Sequence, residues 1–168
     1  TEESMWNTEW ENLSDVMEVH HLTKAEFDHG GTRARAAELS DAEIMVFMTQ
    51  DAMPADRELL SELLRAFEQD ENIAAAYARQ LPNAECSFVE RYTRAFNYPD
   101  TSLVKTKADL NQYGIKTYFC SNVCAAYRKD IYQKQGGFVR RTIFNEDMIY
   151  AGGLIQAGYS IAYAAEAK

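Results

Sequence analysis

A short apolar segment, followed at once by polar residues and a proline, constrains the fold of this chain most. Residues 44–48 are five apolar residues in a row, and Thr49, Gln50 and Asp51 come directly after them. Such a run, with β-branched and aromatic residues, is typical of a strand that is buried on both faces. Pro54 cannot donate to a sheet ladder, so the strand ends before it. We therefore expect a central parallel strand that places Asp51 in the crevice where open α/β sheets bind ligands.

The segment that follows has the pattern of an amphipathic helix and then a second strand. Leu59, Leu63 and Phe67 mark an apolar face in residues 56–68, and Asp56 suits the amino-terminal end of the helix. Residues 73–78 read as another buried strand. Strand, helix and strand in this order predict a right-handed crossover between two paired parallel strands.

Composition excludes several classes of function. The chain has 168 residues, enough for one domain with a core, and 17 basic against 26 acidic residues give a net charge of −9. This balance argues against a general nucleic-acid binder and against a polybasic membrane anchor. The sequence contains no membrane-spanning run. Its odd set of three cysteines, at positions 86, 120 and 124, predicts reduced thiols and a cytoplasmic protein.

Two acidic positions carry alternative interpretations. Asp51 is either the cap of the following helix or a ligand for Mg²⁺ or Mn²⁺, which bind few protein carboxylates and share ligand phosphates. Glu146 and Asp147 either favour the start of a helix that Asn145 caps, or supply a general base to a bound hydroxyl. The residues alone leave both questions open.

A turn rich in glycine offers a weaker signal. Residues 27–32 include Gly30 and Gly31 and precede an alanine-rich helix predicted over residues 32–39. The turn is either a plain entry into that helix or a loop whose backbone N–H groups and Arg33 approach a phosphate. Neither a Walker A loop nor a dinucleotide-binding GxGxxG motif occurs. A metal-dependent phosphoesterase would need more clustered Asp and His than this chain has.

An ordered series of short motifs from about Glu26 to the end of the chain resembles the inverting family 2 glycosyltransferases, in the branch of the rhamnosyltransferases. Each motif is weak alone, but their order is specific. The motifs are residues 27–33, 46–52, 79–82, 96–99, 121–122, 136–138, 146–147 and 158–163.

The resemblance implies an α/β fold of the GT-A type, a nucleotide-binding sandwich with a central, mostly parallel sheet that is truncated at its amino terminus. It implies a nucleotide-sugar donor and a saccharide or lipid-linked saccharide acceptor. Residues 1–168 would form one partial domain, with the nucleotide side in residues 1–80 and the acceptor side in residues 81–168. The resemblance also implies a cytoplasmic enzyme of bacterial polysaccharide biosynthesis, peripheral at the inner membrane face.

Individual site roles also follow from the resemblance. Thr49-Gln50-Asp51 stands in place of the family's DxD motif, which implies that Asp51 binds a divalent metal and that Gln50 lies beside the donor. Glu146 and Asp147 match the acidic pair at the acceptor site, with Asp147 as the catalytic base. Ser121 and Asn122 would line the donor-sugar pocket, and Arg33 would lie on the nucleotide side. Ala34 stands where this branch usually has asparagine.

The family normally has an additional nucleotide-binding strand and loop before these motifs and a histidine-containing segment after them. We therefore expect an internal fragment with weak donor binding and an exposed apolar sheet edge. A competing hypothesis is a non-catalytic domain that acts by self-association, as a homo-oligomer or interaction module, through that edge and through aromatic residues of the second half.

Overall fold

The computed structural model describes residues 16–168, which form alternating helices and strands. The helices are α1 (His29–Leu39), α2 (Leu59–Glu68), α3 (Phe88–Asn97), α4 (Leu110–Tyr113), α5 (Lys129–Lys134) and α6 (Glu146–Gln156). The strands are β1 (Ile44–Met48), β2 (Ile73–Ala78), β3 (Leu103–Lys105), β4 (Cys124–Arg128) and β5 (Ser160–Ala164). Two 3₁₀ turns, Lys107–Asp109 and Gly114–Tyr118, flank α4.

The strands of the described region form one sheet in the order β1-β4-β2-β5-β3. Only β2 and β5 pair in parallel, and the other three pairings are antiparallel. The expected mostly parallel sheet is therefore wrong, although the α/β class is right. The physical reason is β4, which inserts antiparallel between β1 and β2. These two strands run in the same direction, but they are not hydrogen-bonded neighbours as the crossover predicted.

Apolar side chains on the two faces of the sheet form two separate core clusters. On one face, α2 packs through Leu59, Leu63 and Phe67 on a sheet surface that includes Ala76 and Ala126. The other face carries larger side chains, including Tyr77, Tyr127 and Tyr163, under helix α6. Small residues on one face let the helix lie close to the strands, whereas aromatic rings on the other fill a thicker layer.

Strand β1 lies at the edge of the described sheet and is not buried on both faces as expected. Met45 is buried, but Val46 and Met48 remain 39% and 38% exposed. The central position goes to β2, whose residues are all buried. Helix α2 begins at Leu59, after Asp56 has accepted a hydrogen bond from the Glu58 N–H, so Asp51 lies outside its cap.

The glycine-rich segment is the first turn of α1 and not a separate loop. Asp28 is the N-cap, and its carboxylate accepts a hydrogen bond from the Gly31 N–H at 2.7 Å. Gly30 lies so close to the Val139 carbonyl that a Cβ there would come within 1.9 Å of the oxygen. Glycine at position 30 is therefore required by packing between α1 and the segment before α6.

Other boundaries differ from expectation in the loop-rich half. The irregular stretch predicted over residues 97–113 contains β3 and α4, and the strand predicted over 116–127 shortens to β4. A strand over residues 16–22 does not form, and a helix predicted over residues 2–12 lies outside the described residues. The three cysteines are free, with Cys120 and Cys124 buried. Among residues 16–168, none of the helices has the length and apolar character needed to cross a membrane.

Candidate active site

A crevice runs along the side of the sheet where the carboxyl ends of β1 and β2 lie. It consists of three adjoining cavities of about 790, 380 and 460 Å³. The first and second share Met48 and Asp51, and the second and third share Gln80 and Arg94 among their walls. Asp51 follows β1, Gln80 follows β2, and Asp147 lies in the third cavity at the start of α6. The sequence prediction that Asp51 lies at a crevice is therefore supported by its position.

Asp147 is held in place by backbone groups from two segments. Its Oδ2 accepts a hydrogen bond from the Asn122 N–H at 2.9 Å, and its Oδ1 accepts one from the Met148 N–H at 2.7 Å. Burial raises the pKa of the Asp147 carboxyl, and the Glu146 carboxylate adds to that effect, although the two N–H groups oppose it. A fixed carboxylate with a raised pKa at a cavity wall is suited to accept a proton.

The helix-start interpretation expected the Asn145 side chain to cap α6, but it does not. Asn145 has a left-handed backbone with φ 66°, and its side chain makes no capping hydrogen bond. Asparagine tolerates this conformation better than most residues. The turn at Asn145 brings Asp147 into the same cavity as Ser121.

Glu146 lies behind the cavity wall and is paired with Arg33. Arg33 Nη1 donates to Glu146 Oε1 at 2.7 Å, and the two side chains are 16% and 7% exposed. Asn122 Nδ2 donates to the same oxygen at 3.3 Å. Arg33 also lines the first cavity with Gln50 and Asp51. The pair therefore ties α1, on the side of Asp51, to α6, on the side of Asp147.

Ser121 and Asn122 have different surroundings, although they are adjacent. Ser121 lines the third cavity, where its Oγ accepts a hydrogen bond from Gln80 Nε2 at 3.0 Å. Asn122 is buried, and its Oδ1 accepts a hydrogen bond from the Tyr127 hydroxyl at 2.8 Å. Ser121 could contact a ligand directly, whereas Asn122 orients the two acidic residues.

Gln80 and Tyr98 are site residues to which sequence reasoning assigned no role. Gln80 Nε2 also donates to the Tyr98 hydroxyl, so both form the wall of the third cavity with Ser121. Gln80 could have been found from the sequence, since it follows a buried strand just as Asp51 does. Tyr98 carried no comparable signal, because its position depends on how α3 packs.

Asp51 is exposed at the junction of the first two cavities. The pKa of the Asp51 carboxyl is held below its ordinary value, first by the Thr49 hydroxyl, then by the backbone N–H of Asp51 and the charge of Arg94. The carboxyl is therefore an anion at neutral pH. Within residues 16–168, no group of three or more His, Cys, Asp or Glu side chains could hold a metal ion. The donor set fits a hard divalent cation only as one carboxylate that supplements the phosphates of a ligand.

Comparison with known proteins shows the family of this chain. The family model of Glycosyl transferase family 2 matches residues 7–136. The chain belongs to glycosyl transferase family 2. The resemblance read from the motifs is thereby confirmed, and with it the GT-A-like α/β fold. Glu146 and Asp147 lie beyond the matched residues.

Two curated relatives are similar along most of the chain. The O-antigen chain rhamnosyltransferase WbaN of Salmonella anatum is 45% identical over 148 residues, which are 88% of this chain and 47% of the relative. The O-antigen chain rhamnosyltransferase RfbN of Salmonella typhimurium is 44% identical over 150 residues, or 89% of this chain and 48% of the relative. The chain thus spans about half the length of the curated relatives that it matches.

Proposed function

We propose that this chain carries the donor site and the catalytic base of an inverting glycosyltransferase. The enzyme would transfer rhamnose from a nucleoside-diphosphate donor to a hydroxyl group of a saccharide or lipid-linked saccharide. The single observation that carries the proposal is Asp147, a fixed carboxylate in the third cavity of a crevice that also holds Asp51 where its first two cavities meet. Similarity to two rhamnosyltransferases supports the choice of sugar.

The donor would lie along the crevice with its nucleotide on the side of residues 1–80 and the acceptor on the side of residues 81–168. Asp51, with Gln50 and Arg33 lining the same cavity, would face the diphosphate. Ser121 would face the sugar. Asp51 would hold a Mg²⁺ or Mn²⁺ ion together with the phosphates, and such an ion would offset the negative charge of the leaving group.

The proposed reaction is a single displacement. The acceptor hydroxyl oxygen forms a bond to the sugar C1 as the bond from C1 to the phosphate oxygen breaks. The hydroxyl proton passes to the Asp147 carboxylate, and the bonding electron pair leaves with the nucleoside diphosphate. Attack from the side opposite the phosphate inverts the configuration at C1. Glu146 does not move a proton in this proposal; paired with Arg33, it fixes Asn122 and thereby Asp147.

The Asp147→Asn variant tests this role in the protein expressed at its full encoded length. We expect turnover of a nucleoside-diphosphate-rhamnose donor to fall at least about 1,000-fold, because an amide cannot accept the proton. Donor affinity, measured by calorimetry, should change little. Asp130→Asn is the matched control, since Asp130 is an exposed carboxylate in the first turn of α5.

Two results would contradict the proposal. Turnover by Asp147→Asn close to that of Asp130→Asn would rule out Asp147 as the base. A product with the donor's anomeric configuration, determined by proton NMR, would rule out the single displacement. The pH profile adds a check. Because the pKa of Asp147 is raised, activity should be lost on acidification at a pH above the pKa of an ordinary aspartate.

A second proposal, association between copies of this chain, has support from one helix. Phe88, Val89 and Tyr92 on α3 are 82%, 71% and 63% exposed, which is unusual for a neighbouring set of apolar side chains. Sedimentation velocity tests the idea directly. A monomer at all concentrations up to 100 times the working concentration would rule it out.

A further inference from the structure

Helix α3 turns its polar side towards the crevice. Glu90, Thr93, Arg94 and Asn97, spaced as neighbours on one helical face, all line the third cavity together with Asp147. The apolar residues of the same helix remain exposed, as described above. An amphipathic helix ordinarily buries its apolar face. In α3, by contrast, the polar side lines the cavity, where it can contact a polar ligand.

Arg94 occupies a special position on this helix, because it lines two of the three cavities. It forms part of the wall of the second cavity, which holds Asp51, and of the third, which holds Asp147. Of the residues shared by both walls in the described region, Arg94 is the one with a positive charge; the others are Gln80, Glu90 and Val123. A ligand that extends from Asp51 to Asp147 would occupy both of the cavities that Arg94 lines.

The guanidinium of Arg94 is available to such a ligand. Its ion pair with Glu90 is loose, with 3.7 Å between Arg94 Nη2 and Glu90 Oε1, and the side chain is 34% exposed. Arginine presents five N–H donors in a plane, a geometry that suits phosphate oxygens.

We propose that Arg94 binds the phosphate that is bonded to the sugar of the donor and stabilises the leaving diphosphate. The inference rests on the proposed function, which places the diphosphate at Asp51 and the sugar C1 at Asp147. As the bond from C1 to the phosphate oxygen breaks, the electron pair stays on that oxygen and its negative charge grows. The Arg94 guanidinium donates hydrogen bonds to that oxygen. Before the donor binds, the loose ion pair with Glu90 offsets part of the positive charge of Arg94 and keeps the guanidinium at the cavity wall.

Calorimetry and kinetics on Arg94→Gln, in the protein expressed at its full encoded length, test the assignment. We expect the Kd of a nucleoside diphosphate to rise roughly 10- to 100-fold, as for the loss of a charge-assisted hydrogen bond, whereas the Kd of the nucleoside alone changes less than about twofold. We also expect kcat for sugar transfer to fall about 100-fold or more, since the charge on the phosphate is greatest in the transition state. Arg94→Lys should recover part of both losses.

The matched control is Arg91→Gln on the same helix, since Arg91 is exposed and bonds to the Ala84 carbonyl. It should bind and turn over like the wild type. Unchanged nucleoside-diphosphate affinity and kcat in Arg94→Gln, with an active wild type, would overturn the role of Arg94 alone. A wild type that neither binds a nucleoside diphosphate nor transfers sugar would overturn the proposed function and this inference with it. A thermal melt identical to that of the wild type confirms that Arg94→Gln is folded.

Discussion

The structure allows the stability of variants of the ion pair between Arg33 and Glu146 to be predicted. The two residues are 113 positions apart in the chain, and their side chains are 16% and 7% exposed. Two unit charges about 4 Å apart attract each other by about 4 kcal/mol at an effective dielectric constant of 20. Desolvation of both groups offsets most of this attraction, so the intact pair adds little net stability. Removing one partner, by contrast, leaves a buried charge without compensation.

The expected magnitudes follow from which charge is left behind. Arg33→Met leaves the Glu146 carboxylate buried, with Asn122 Nδ2 as a neutral donor, and should lower the free energy of unfolding by about 3 to 5 kcal/mol. Glu146→Gln should cost only about 2 kcal/mol, because an amide oxygen still accepts hydrogen bonds and Arg33 also contacts the His29 carbonyl at 3.3 Å. The double variant should cost about 3 kcal/mol, less than the sum, which gives a coupling energy of about 2 to 4 kcal/mol.

Urea unfolding followed by far-ultraviolet circular dichroism measures the four free energies of this cycle. The control cycle uses Arg140 and Glu38, which are 2.9 Å apart but 63% and 66% exposed. An exposed pair of this kind should couple by less than about 1 kcal/mol. If the coupling of Arg33 with Glu146 is no larger than that of the control pair, burial does not strengthen this interaction, and the reasoning that makes Glu146 a positioning residue fails.

Three further predictions concern the surrounding fold. Lys105 is buried, and burial lowers its pKa to about 8, so the unfolded chain binds more protons than the folded chain between pH 8 and 10. The free energy of unfolding of the wild type, relative to that of Lys105→Met, should therefore rise by about 2 kcal/mol from pH 7 to 9.5. Urea titrations that give the same difference between the two proteins at both pH values would refute this. Gly30→Ala should lower stability by more than about 2 kcal/mol in thermal melts, because the added Cβ would overlap the Val139 carbonyl. Gly153→Ala, on the open surface of α6, should instead raise stability by about 0.5 to 1 kcal/mol. Equal effects of the two substitutions would contradict the packing argument. Arg128→Met should cost about 3 kcal/mol by chemical denaturation, since Arg128 donates to carbonyls at the end of α2 and the start of β2, and a loss below about 0.5 kcal/mol would show these bonds to be unimportant.

Elements with a strong local pattern could be predicted closely from the sequence. The pattern of residues 146–156 predicts a helix that ends before Gly158, and that of residues 73–78 predicts a strand. Helix α6 spans Glu146–Gln156 and strand β2 spans Ile73–Ala78, so both predictions are confirmed. In α6, the buried Tyr150, Leu154 and Ile155 repeat with the period of a helix. The free cysteines were also expected. In each of these, the evidence lies within a few residues of the chain, so local chemistry was enough.

Features that depend on distant partners could not be predicted. Nothing in β1 indicates that its neighbour is β4, because a strand's sequence specifies burial better than pairing partner. The pattern of residues 86–96 predicts a helix with Phe88, Tyr92 and Ala95 on one side, but it does not show that this side stays exposed while the polar side lines the crevice. Likewise, Glu146 and Asp147 are both carboxylates, and apart from the family resemblance only the positions of Arg33 and Asn122 distinguish the residue paired with arginine from the one facing the cavity.

The strand that contradicts the parallel-sheet prediction is also the one that assembles the site. Because β4 runs antiparallel between β1 and β2, its first residue, Cys124, pairs with Met48 at the carboxyl end of β1. The residues just before β4, Ser121 and Asn122, therefore lie at the edge of the sheet where Asp51 and Gln80 also lie. A parallel strand at that position would place Ser121 and Asn122 one strand length away, at the opposite edge, where Asn122 could not donate its N–H to Asp147. The antiparallel direction of β4 is thus what brings Ser121 and Asn122 into the crevice that Asp51, Gln80 and Asp147 line.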